Sequence, residues 1–183
     1  RLPGCMSLSM QFLLYLLVLL SMMAPALSGE EVDYHDLAEA PHHYWDRQPK
    51  DPFSQLVPAL ESGKLALDKS SEQAFLLDLL KALKIPAESQ LLVHSATSLQ
   101  SGIISPRNPR AIYFNMDTYL GYIPGGKIEI LSMDPQLGAI FYIFDIPRSG
   151  LPRPERSRRC MNCHSGEESG RVPGLSIRSV IPG

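Results

Sequence analysis

The chain has 183 residues, with 17 lysines and arginines against 19 aspartates and glutamates, a formal net charge of −2. That balance offers no basis for nucleic-acid binding, which asks for a strongly basic surface. Sixteen prolines and thirteen glycines point to many turns, and the length suffices for one domain with a real core.

An apolar run over residues 10–27 opens the chain, with leucines at 13, 14, 16, 17, 19 and 20. Small residues follow at Ala24, Ala26 and Ser28, then Glu30 and Glu31. This is the pattern of a secretory signal cleaved near Ser28. The run falls short of the ~20 apolar residues of a spanning helix. Residues 1–28 are therefore expected to be a signal peptide or, left uncleaved, an N-terminal membrane anchor. Either way the domain after them is exported, to the periplasm or an equivalent space. Arg1 is the sole charge before the run and the chain does not begin with Met, so Met6 and Met10 are candidate starts. Cleavage would remove Cys5 and leave two cysteines.

Residues 29–146 read as an α+β region. Residues 29–58 are polar and aromatic, with His35, His42, His43, Tyr44 and Trp45 among prolines 41, 49, 52 and 58. They predict a loop-rich lead-in with a short helix near 32–40. The pair His42-His43 reads as exposed rather than ligating. Residues 70–84 predict the clearest helix. Ser70 or Ser71 can cap it, Gln73 can complete a capping box with Ser70, and Pro86 closes it. Leu76, Leu79, Leu80 and Leu83 share one face, the stripe of a core helix.

Five short apolar or β-branched runs come next: 91–96, 111–115, 119–123, 127–133 and 139–146. The turns Pro124-Gly125-Gly126 and Asp134-Pro135-Gln136-Leu137-Gly138 separate the later ones. Such spacing predicts a small antiparallel sheet.

Residues 147–183 hold the most informative stretch, Cys160-Met161-Asn162-Cys163-His164, after the charged loop 153–159. Cys-x-x-Cys-His is the attachment signature of a c-type haem. Two intervening residues set the thiols at the spacing of the porphyrin vinyls, and the adjacent imidazole can bind iron as proximal ligand. The expectation is covalent haem c on Cys160 and Cys163, with His164 on the iron. Three other readings stay open: a disulfide, a zinc site and a dithiol redox pair. A structural zinc site usually takes four ligands in two spaced pairs, and no second pair exists. A thioredoxin-like pair would follow a strand and open a helix.

A sixth iron ligand is not evident. The candidates are His35, His42, His43, His94, Met116, Met133 and Met161. Met161 lies inside the motif and cannot reach the opposite side of the ring. His94, Met116 and Met133 read better as core residues. The arginines at 153, 156, 158, 159, 171 and 178 are candidates to pair with the haem propionates.

Several strings also carry a family resemblance. They are Thr97-Ser98-Leu99-Gln100, the 104–115 stretch from Ile104-Ser105-Pro106-Arg107 to Phe114-Asn115, Gly121-Tyr122-Ile123-Pro124-Gly125-Gly126, the 134–142 stretch, the haem motif, Gly170-Arg171-Val172-Pro173-Gly174 and Arg178-Ser179-Val180. Over residues 90–183 the chain resembles a bacterial family of exported proteins with a cytochrome c domain and no assigned reaction. Members of that family run on beyond the equivalent of Gly183. The resemblance therefore implies a C-terminally truncated member whose sixth ligand, and any second haem, lie outside this chain.

The expected function is electron transfer by an exported haem c protein to a redox partner protein. The alternative is a haem-dependent redox enzyme of peroxidase type, or a haem sensor, with an open sixth position. The β-rich region is more than a minimal carrier needs, which keeps that alternative in view. Without the missing part, the haem is expected to bind carbon monoxide readily.

Overall fold

A computed structural model describes residues 37–94 and 98–175. The chain separates into units Arg1–Tyr34 and His35–Gly183, and the first lies outside the described residues. So do the expected signal segment, His35 and Arg178, and most of the expected helix near 32–40; its end, from Leu37, is a set of turns. Among the described residues, no helix is long and apolar enough to cross a membrane.

The fold is mixed α+β. A six-stranded antiparallel sheet takes its strands in chain order. They are β1 (Leu91–Val93), β2 (Arg110–Phe114), β3 (Thr118–Tyr122), β4 (Ile128–Asp134), β5 (Gly138–Phe144) and β6 (Glu155–Arg156). The first five match the expected runs, with bounds that differ by one to three residues. The sixth was not expected. It is two charged residues long and is defined only by its pairs, Tyr142↔Arg156 and Ile143↔Glu155.

Two helices precede the sheet. Helix α1 (Pro52–Glu61) occupies part of the expected loop. Asp51 caps it, its Oδ1 accepting from the N–H groups of Phe53 and Ser54 at 3.0 Å each. Pro52 fits the first turn, where its missing N–H leaves nothing unpaired. Pro58 lies inside the helix at the loss of one hydrogen bond. Full burial of Phe53 and Leu60 offsets that loss. Helix α2 (Glu72–Ala82) is the expected core helix, shorter at both ends. Ser71 is the cap, its Oγ accepting from Ala74 N–H, and the Ser70–Gln73 box is not used. The helix ends before Pro86. Lys84 turns left-handed at φ 55°, and Ile85 N–H donates back to Leu80 O at 2.9 Å.

The strand pairings define two sheet faces. The first carries Tyr113, Leu120, Ile130, Ile140, Tyr142 and Phe144, all buried. The Phe53 ring of α1 packs on Tyr142 and Phe144 at 4.8 and 5.9 Å, and Tyr142 Oη donates to the buried Asp51 carboxylate at 2.7 Å. From α2, Glu72 accepts from Tyr122 Oη and Gly125 N–H.

The second face carries Ile112, Phe114, Tyr119, Glu129, Leu131, Met133, Phe141 and Ile143. Leu131 and Phe141 are buried, Phe114 is 40% exposed, and the others are half-buried.

Candidate functional site

The motif is built from β5 outward. After β6 the chain stays beside that strand, with Ser157 N–H donating to Phe141 O at 2.8 Å. Arg158 and Arg159 follow, and Cys160 then opens the helical turn α3 (Met161–His164). Cys163 N–H donates to Cys160 O at 3.2 Å and His164 N–H to the same oxygen at 3.1 Å. Positions i, i+3 and i+4 of one helical turn share a side, which sets Cys160, Cys163 and His164 along one side of it. Of the two spacer residues, Met161 is buried and roots the turn in the core, and Asn162 is exposed.

The two cysteines are unlinked thiols in unlike settings. Cys163 is exposed, and Cys160 is half-buried against the core. Burial pushes the Cys160 thiol above its ordinary pKa. The hydrogen bond with Ser157 opposes that, and the Glu129 carboxylate adds to it.

His164 is held on two sides. Its ring meets Phe141 with centroids 4.5 Å apart and planes inclined at 41°. Its Nδ1 is 3.0 Å from the carbonyl oxygen of Gly174. A carbonyl only accepts, so Nδ1 is the donor and the neutral ring carries its lone pair on Nε2. Gly174 N–H returns a bond to His164 O at 3.0 Å. The segment that supplies Gly174 is tied to the sheet in turn, with Ala139 N–H donating to Pro173 O at 3.2 Å. Gly138 permits this approach. Its φ is +74°, and a Cβ there would lie 2.8 Å from Pro173 O.

Two thiols and an imidazole on one side of a turn, with the imidazole tautomer fixed, fit the donor set of haem c. They do not form a metal site by themselves. Among the described residues no three His, Cys, Asp or Glu side chains are placed to hold a bare ion.

The arginines divide. The Arg156 guanidinium lies over the rings of Tyr44 at 4.2 Å and Trp45 at 5.0 Å, and it donates to the carbonyls of Tyr44 and Arg47. Arg158 lies over Trp45 at 4.3 Å. Arg171 pairs with Glu167 at 3.0 Å. Arg153, Arg158 and Arg159 line a cleft of about 450 Å³ with Lys127, Glu155 and Ile143.

The candidates for a sixth ligand scatter. His42 is half-buried. His43 is exposed, with Nδ1 3.9 Å from Asp46. His94 is exposed, not in the core, because β1 is an edge strand that also leaves Leu91 and Leu92 more than half exposed. Met116 is 93% exposed at the tip of the β2–β3 turn, where the Asn115 side chain, not an apolar contact, holds the bend. Met133 is half-buried on the second sheet face and packs against the core, as expected.

Gly174, Phe141, Pro173 and Gly138 were not expected at the site. The string 170–174 stood out in the sequence, but nothing in it named His164 as its contact.

No protein-family model, no curated protein and no solved structure matches the chain. The family resemblance therefore rests on the sequence motifs alone.

Proposed function

We propose that this chain is an exported c-type haem protein that passes electrons to a redox partner protein. The observation that carries the reading is the orientation of His164. Its Nδ1–H is committed to the Gly174 carbonyl, which directs the basic lone pair to Nε2 and makes the imidazole a better iron ligand. Cys160 and Cys163 would hold the porphyrin through thioethers and His164 would bind the iron, which supplies one-electron exchange when present. The protein's own work is then positional. Met161 and Phe141 root the turn and the ring, and Arg153 and Arg159 are the candidates for the propionates.

The test is expression with a c-type haem attachment system, followed by denaturation and extraction with acidified solvent. The expected result is haem that stays with the polypeptide from the wild-type chain and is lost from Cys160→Ser/Cys163→Ser. Haem that leaves wild-type protein with the solvent overturns the proposal. Peroxide turnover then separates the carrier from the enzyme alternative. A haem that cycles between ferric and ferrous states without consuming peroxide supports the carrier.

A further inference from the structure

We infer that the arginine-lined cleft beside the attachment turn is where the redox partner docks, and that the partner presents a cluster of carboxylates to it. The inference rests on the haem reading of Cys160, Cys163 and His164 and names the chemistry of the partner which that reading requires.

Three observations carry it. The first is the distribution of charge. Residues 148–159 hold five of the 17 basic residues, Arg148, Arg153, Arg156, Arg158 and Arg159, and one of the 19 acidic ones, Glu155. The rest of the chain keeps 12 basic residues against 18 acidic. A chain of net charge −2 thus has one strongly basic segment, and that segment runs directly into Cys160. Like charges crowded together repel, and a partner of opposite charge relieves them and is steered to them.

The second is position. Five cationic side chains, Lys127, Arg153, Arg156, Arg158 and Arg159, line the cleft of about 450 Å³, against the acids Asp145 and Glu155. Ile143 and Ser157 line it too. Ile143 stands two residues from Phe141 on the same sheet face, and the His164 ring packs on Phe141. Ser157 N–H donates to Phe141 O, and Arg159 directly precedes Cys160. The cleft therefore adjoins the attachment turn, and a partner seated in it would lie next to the haem. Bound haem would add two propionates and, when ferric, one positive charge at its centre, so the cations would still outnumber the anions.

The third is which cations are already committed. Lys127 pairs with Asp145 at 2.6 Å, and Arg156 donates to the carbonyls of Tyr44 and Arg47. Arg153, Arg158 and Arg159 are exposed and pair with no carboxylate among the described residues. Arg158 is held over the Trp45 ring at 4.3 Å, a contact with its face that leaves its N–H edge for an acceptor. Each guanidinium is a planar fork matched to a carboxylate. An acidic protein surface supplies several carboxylates at once, and electron-transfer encounters are small, weak and steered by such charge. A small free anion such as phosphate is the rival occupant.

Two forms of the protein test it. In the haem-free Cys160→Ser/Cys163→Ser chain, Trp45 is the sole tryptophan and Arg158 lies on its ring, so its fluorescence reports on the cleft. An oligoglutamate peptide should change that fluorescence saturably in low salt, and adding Arg153→Glu/Arg159→Glu should abolish the response. The haem-bearing wild-type chain, reduced, is then oxidised by ferricyanide, an anion, and by tris(phenanthroline)cobalt(III), a cation. The ferricyanide rate should fall about tenfold from low to high salt, the reverse of what a uniformly acidic surface gives. Arg153→Glu/Arg159→Glu should lower the ratio of the anion rate to the cation rate by about tenfold, a ratio in which any change of midpoint potential cancels. Wild-type protein without covalent haem overturns the reading of the motif, and the inference with it. Covalent haem with a ferricyanide rate that rises with salt, or with a ratio that the variant leaves unchanged, overturns the inference and spares the motif. So does a Trp45 signal that ignores the peptide. Phosphate that changes Trp45 fluorescence at the same concentration as the peptide assigns the cleft to a small free anion and overturns the inference too.

Discussion

The carbonyl of Gly174 fixes His164 from ten residues downstream, which no local pattern announces. The helical turn's shared side for Cys160, Cys163 and His164 was legible because it is written in spacing alone. Its support was not, because Phe141 and Gly174 reach it only once β5 is in place. The same limit misplaced His94 and Met116. His94 follows an apolar run and Met116 is itself apolar, yet an edge strand and a turn tip leave them in solvent. His164→Ala should perturb the Soret band and shift the midpoint potential of the haem form, as spectroelectrochemistry would show. Asp134 gives a pH-dependent prediction. Burial alone would raise its pKa, but N–H donors of Lys50, Gln136 and Leu137 hold it below the ordinary value. A depressed carboxylate contributes stability that is full above its unfolded pKa, about 3.9, and is lost as pH falls through the folded one. Asp134→Asn should therefore destabilise the protein at neutral pH and reduce the slope of its acid unfolding limb, measured by denaturant midpoints across pH.

At the scale of elements, the strands declared themselves through their turns, and α2 through its leucine stripe. Helix α1 did not, because two prolines argue against a helix and only tertiary burial of Phe53 and Leu60 overrides them. Strand β6 has no apolar pattern at all and exists because β5 offers it an edge. Asp51→Ala removes the cap of α1 and also strands the buried Tyr142 hydroxyl, so it should cost about 2–4 kcal/mol in thermal or urea unfolding. Asp51→Asn, which can still cap, should cost less. Gly138→Ala places a methyl against Pro173 O on a left-handed backbone. It should cost about 1–3 kcal/mol and displace Gly174 from His164, seen as a changed imidazole ¹⁵N shift at Nδ1.

At the scale of the whole molecule, the α+β class was legible and the use of the two sheet faces was not. Strand β5 is apolar at nearly every position and β4 carries apolar residues on both sides, so alternation could not assign the faces. One feature of that architecture bears on biosynthesis. The attachment turn is stitched to the same strand on both flanks, by Ser157 to Phe141 before it and by Pro173 to Ala139 after it. With β5 paired, Cys160 is half-buried and both flanks of the turn are tied to the strand. Under the proposed haem reading, loading would compete with folding in time, and a chain that folds first would lose its chance. A remote core truncation, Leu120→Ala on the first face, should cost about 2–5 kcal/mol by lost packing and so prolong the open state. Under limiting maturation capacity it should raise the fraction of chains carrying covalent haem, counted by intact-mass spectrometry. An unchanged or lower fraction among the soluble chains would mean that attachment can reach the thiols after the strand has closed.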